Sequence, residues 1–159
     1  HFLFNMFALT QAGTMLESEV GARRLFAAYT LAILGGAAAE VVVHGEVLLV
    51  VAGASGGLFG LIGFGAAYGY SLGGSRGRAL STFFLQWALY GVLFGLFIGN
   101  VSHLAHAGGF LAGAVAGWLA VGDARRSRHV ESAWHYAAVL LLVLSLVSAG
   151  FAVVSAVSP

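Results

Sequence analysis

Six apolar runs, most of them close to twenty residues long, take up nearly all of this 159-residue chain. They are His1 to Leu16, Leu25 to Val43, Ala52 to Leu72, Ala79 to Ile98, Val101 to Val121 and Trp134 to Val157. A helix of about 20 apolar residues spans the hydrocarbon core of a bilayer, and a chain in lipid must satisfy its backbone internally. The predicted fold class is therefore all-α, a polytopic membrane helical bundle. Only 8% of residues are charged, far below the quarter or so usual in soluble domains. The one proline is Pro159, so no run is interrupted by a helix breaker.

The arginines give the topology. All seven basic residues are Arg, and they fall in alternate gaps: Arg23 and Arg24, then Arg76 and Arg78, then Arg125, Arg126 and Arg128. If every run crosses once, these three gaps share one face, which the positive-inside rule makes cytoplasmic. The gaps around Gly45 and around Gly99-Asn100 carry no basic residue and face outward. The first, third and fifth runs then enter from the outer side, so their N-terminal ends gather at one depth.

Several classes of function are excluded. A net charge of +1 offers no basic stripe for nucleic acid. Without Cys there is no disulfide framework and no thiolate nucleophile. No His-Glu-x-x-His run is present for a metalloprotease, and a single Asp, Asp123, excludes an aspartyl dyad. No metal or other cofactor is expected. A transporter would be expected to show internal repeats or interior carboxylates for ion coupling, and neither is evident.

Three polar groups stand out near the outer ends of the odd runs. Ser55 opens the third, in Gly53-Ala54-Ser55-Gly56-Gly57. Serine is a common small packing residue between membrane helices; at a helix start it also lies in the positive end of the dipole, where an oxyanion is favoured. His106 lies on a stripe with Gly109, Gly113 and Gly117, a face able to pack tightly on another Gly-lined helix. An imidazole within a span is either a hydrogen-bonded structural group or a functional one. His1 and Asn5, four residues apart, share a helix face and read either as polar packing residues or as oxyanion donors.

The order His-x-x-x-Asn, Gly-Ala-Ser-Gly and Ala-His-x-x-Gly-x-x-x-Gly on alternate helices resembles the rhomboid intramembrane serine proteases. Leu16-Glu17 with Gly21 and the following arginines resembles the rhomboid loop at that point. The resemblance covers His1 to about Val121. It implies Ser55 as nucleophile and His106 as general base, with Asn5, His1 and the Ser55 N–H binding the oxyanion. Phe59 would stack on the His106 ring. No carboxylate is aimed at His106 by the sequence, since Asp123 is on the opposite side and nothing directs Glu40 or Glu46 to it; a Ser–His dyad follows.

The implied layout is a protease core over residues 1–121 that begins after its first helix, an Arg-rich cytoplasmic loop over 122–133, and an additional C-terminal helix over 134–159. The chain opens on apolar residues with no basic leader and reads as starting inside a helix. Ser145, Ser148 and Ser155 are read as packing residues. The expected partners are the lipid bilayer and transmembrane protein substrates, cut near the outer face. The Gly- and Ala-rich, Lys-free composition hints at GC-rich coding, and the expected location is a prokaryotic plasma membrane with the active site toward the extracytoplasmic face. The other reading is a catalytically silent rhomboid-like protein that binds transmembrane clients.

Overall fold

The computed structural model describes residues 2–45, 53–98, 101–123 and 128–157. Among these the chain forms α1 (Phe2–Val20), α2 (Ala22–His44), α3 (Gly53–Leu72), α4 (Gly74–Ile98), α5 (His103–Asp123) and α6 (Arg128–Val157), with no strand. The expected helical bundle is what the chain builds. Most helices run further than the apolar patterning predicts. Glu17, Ser18 and Glu19 belong to α1, Arg23 and Arg24 to the first turn of α2, and Arg76 and Arg78 to the start of α4. α6 begins at Arg128 rather than Trp134. Charged residues continue a helix readily once it emerges toward headgroups, so hydropathy marks the membrane boundary and not the helix boundary.

The turns on the arginine side are correspondingly short. Gly21 alone separates α1 from α2 at φ 82°, and Gly73 and Gly74 turn α3 into α4 at φ 72° and 65°. These are backbone conformations that a side chain disfavours. Polar groups along α1 are satisfied locally: the Thr10 hydroxyl donates to the Met6 carbonyl at 2.7 Å and Ser18 to Met15 at 2.7 Å. Across the turn side of the bundle, Arg76 pairs with Glu19 at 2.5 Å.

Helix α3 is the hub. It packs against α1, α2, α4 and α5, and every residue from Gly56 to Ala66 is buried. Phe64, Phe84, Leu16 and Leu61 are the largest of the fully buried side chains in the core. Small residues let the helices approach this closely. A side chain on Gly109, Gly113 or Gly117 of α5 would strike the backbone carbonyl of Gly56, Gly60 or Phe64. On the other flank of α5, a Cβ on Gly36 would lie 2.7 Å from the Ala105 carbonyl, and one on Gly108 would lie 2.6 Å from that of Gly35. Helix α5 is thus wedged between α2 and α3, and the glycine stripe expected to pack on a Gly-lined helix does so.

The periphery is the reverse of a soluble protein's surface. Leu85, Leu89, Leu93 and Phe97 on α4, Leu111, Val115 and Trp118 on α5, and a run on α6 from Val139 to Val147 are largely exposed. Contiguous apolar surface on this scale requires a lipid neighbour. Ala22–His44, Gly74–Phe97 and His103–Val121 are each long and apolar enough to cross a membrane. Helices α1, α3 and α6, also expected to span, fall outside that group among the described residues, where α6 contributes a shorter apolar stretch, Ser132–Val147. Helix α3 is enclosed by other helices and meets little lipid. The protein is a multi-pass integral membrane protein.

Candidate active site

Ser55 lies in the first turn of α3 and is half-buried. His106 lies in the first turn of α5 and is only 7% exposed. The depth of one against the other can be read from the glycine contacts. Cβ positions on α5 meet α3 carbonyls 53 residues earlier (Gly109 with Gly56, Gly113 with Gly60, Gly117 with Phe64), whereas Gly56 and Gly60 meet carbonyls 49 residues later, of Ala105 and Gly109. The nearly constant offsets, narrowing to 47 where Gly63 meets the Phe110 carbonyl, mean that α3 and α5 run parallel. Cβ atoms lean toward the helix N-terminus and carbonyls toward the C-terminus, so the level register lies midway, at 51. The difference between residues 55 and 106 is 51, so Ser55 and His106 stand at one level.

That level lies inside the bundle, below the end formed by the C-terminus of α2. A Cβ on Gly57 would meet Tyr29 and Ile33 in the middle of α2, and the Tyr29 hydroxyl donates to the Ala54 carbonyl at 3.5 Å. From Ile33, α2 continues to His44, about three further turns.

The Phe59 ring, one turn below Ser55, stacks on His106 with ring centroids 4.0 Å apart and planes inclined by 12°. Neither ring nitrogen of His106 has a hydrogen-bond partner among the described residues. A buried imidazole whose nitrogens are satisfied by nothing is costly, and a purely structural histidine would be expected to have a partner. His103 is exposed, with its ring edge-on to His106 at 6.2 Å. By the same register it stands about 4.5 Å above Ser55. A cleft of about 440 Å³ opens beside the two histidines, walled by Phe59, by Ala107 and Phe110 of α5, and by Ala88, Val92 and Leu96 of α4. Among the described residues no group of three His, Asp or Glu side chains could hold a metal ion.

Asn5 is half-buried on α1, a helix packed against α3 and α2. His1 lies outside the described residues. Two residues that sequence reasoning did not connect, Ser102 and Glu40, meet at the start of α5. The Ser102 hydroxyl accepts the Ala105 N–H at 2.9 Å and donates to the Glu40 carboxylate. Two signals pointed there: a serine just ahead of an apolar helical run, and a carboxylate inside a span.

The Rhomboid domain matches residues 1–123, ending where α5 ends. The chain is 34% identical over 134 residues to RHOMBOID-like protein 5 of Arabidopsis thaliana, covering 75% of this chain and 39% of that protein. The chain therefore spans well under half the length of that relative. No solved structure matches it. With the domain covering α1 to α5 and both glycine-framed segments, this chain belongs to the rhomboid family.

Proposed function

We propose that the chain is an intramembrane serine endopeptidase that cuts transmembrane proteins near the outer face of the membrane by a Ser55–His106 dyad. The observation that carries this is the common level of the two residues, together with the buried, unengaged nitrogens of a His106 ring clamped flat on Phe59. A general base needs a free nitrogen, a fixed ring and a nucleophile at its own depth.

The chemistry runs as acyl transfer. The Ser55 Oγ attacks the scissile carbonyl carbon while His106 takes the hydroxyl proton. The oxyanion forms at the N-terminus of α3, where the Ser55 N–H and the helix dipole favour negative charge. Asn5 supplies a side-chain donor from α1, and His1 is the candidate for a second. As the tetrahedral adduct collapses, His106 returns the proton to the leaving amine, and an ester to Ser55 remains. Water, deprotonated by His106, then attacks that ester, releases the acid and restores the serine. Phe59 does the orienting work that a carboxylate does in a triad.

By the positive-inside rule, the arginines at the starts of α2, α4 and α6 support a cytoplasmic assignment for that end of the bundle, with the site at the other end facing outward. The substrate helix must unwind at that depth to expose its peptide bond. A fluorophosphonate tests the reading: it should label wild-type protein at Ser55 and leave both Ser55→Ala and His106→Ala unlabelled. Absence of labelling in well-folded wild type would favour a silent rhomboid-like binder of transmembrane clients.

A further inference from the structure

The His106 ring has no hydrogen-bond partner among the described residues, so its placement depends on the Phe59 stack and on the backbone that carries it. That backbone begins at Ser102. The Ser102 carbonyl accepts the His106 N–H at 3.1 Å, and its hydroxyl accepts the Ala105 N–H at 2.9 Å. Ser102 is thus the N-cap of α5.

The cap is itself held. Its hydroxyl proton goes to Oε1 of Glu40, one turn from the end of α2, and Oε2 of the same carboxylate is bonded by His44 Nδ1 at 2.9 Å. Glu40 is 4% exposed. A carboxylate buried in a membrane helix is costly, and α2 and α5 already lock together through Gly35, Gly36 and Gly108 without it. The glycine contacts set how closely the helices approach; the bond from the buried carboxylate adds a fixed point at the cap itself.

We infer that Glu40 is a positioning residue: through Ser102 it fixes the height and rotation of the first turn of α5, and with them the His106 ring against Ser55. This rests on the reading of His106 as general base. A buried, hydrogen-bonded anchor of this kind matters because a shift of about 1 Å in a reacting group costs on the order of a hundredfold in rate.

The test exploits donor and acceptor roles, using the intact chain in detergent or vesicles. Ser102→Asp keeps an N-capping side chain but sets one carboxylate against another, since Asp cannot donate to Glu40. It should lower kcat by about ten- to a hundredfold with little change in KM. Glu40→Gln still offers Ser102 an acceptor oxygen and should stay within about threefold of wild type. The double variant Glu40→Gln/Ser102→Asp restores the bond with its direction reversed, amide to carboxylate, and should recover most of the loss. Amide hydrogen exchange at Ala105 and His106 should speed up in Ser102→Asp and slow again in the double variant. A cap with no link to Glu40 predicts full activity in Ser102→Asp, and that result, or a double variant that stays folded but is not rescued, overturns the inference. If wild type shows no Ser55-dependent cleavage, the protease reading fails, and exchange alone still decides whether Glu40 anchors the cap.

Discussion

At the residue scale, the two histidines of α5 separate by depth. His106 is buried, level with Ser55 and stacked on Phe59, whereas His103 is exposed and nearly a turn higher. His106→Ala should remove turnover altogether. His103→Ala should keep substantial activity, as measured by initial rates of substrate cleavage; the reverse pattern would move the base to His103. Phe59→Leu, which keeps bulk and loses the flat ring, should lower kcat by about tenfold or more while KM stays near wild type, because a loosened clamp on the imidazole becomes a loosened base. Equal kcat in Phe59→Leu would reduce the stack to packing. Ser55 and His106 stood out because each lies in a short glycine-framed motif, whereas Phe59 entered through the family resemblance alone, and the structure stacks its ring on His106. Glu40 and Ser102 were not connected, since 62 residues separate them and nothing local in either neighbourhood encodes their meeting. Only the parallel wedging of α5 between α2 and α3 brings them together.

At the element scale, the spacing of glycines gave the packing partner of α5 but not the register. Gly113 faces the backbone of Gly60, where neither helix can yield, so Gly113→Ala should destabilise the bundle by about 1–3 kcal/mol, as overpacking does. Gly13 provides the contrast. A Cβ there meets nothing closer than Leu9 at 4.0 Å, within α1, so Gly13→Ala should be neutral or stabilising by up to about 1 kcal/mol. Unfolding in a mild detergent titrated with a denaturing one reads both. Equal effects would mean that α3 and α5 are further apart than the glycine contacts require. Helix ends were the least legible feature. Arg23, Arg24, Arg76 and Arg78 end the apolar patterning without ending helices, because the glycines beside them make the turns.

At the scale of the whole molecule, the alternate arginines predict a topology in which the starts of α3 and α5 lie at one face of the membrane. Singly placed cysteines check it in intact cells. Ser75, exposed at the start of α4, should be protected from an impermeant thiol reagent, and Glu46, beyond the described end of α2, should react. Gly77 is unsuitable as a probe because a side chain there would run into the Gly69 carbonyl. Labelling at Ser75 but not at Glu46 would invert the orientation and turn the site toward the cytoplasm. The most direct measurement of all is cleavage of a reporter transmembrane protein by the chain in sealed vesicles, wild type beside Ser55→Ala, with the cut mapped by mass spectrometry. A serine–histidine protease of this geometry predicts a Ser55-dependent cut near the outer end of the reporter's span and none in the variant. Equal cleavage by Ser55→Ala, or none by folded wild type, would contradict it.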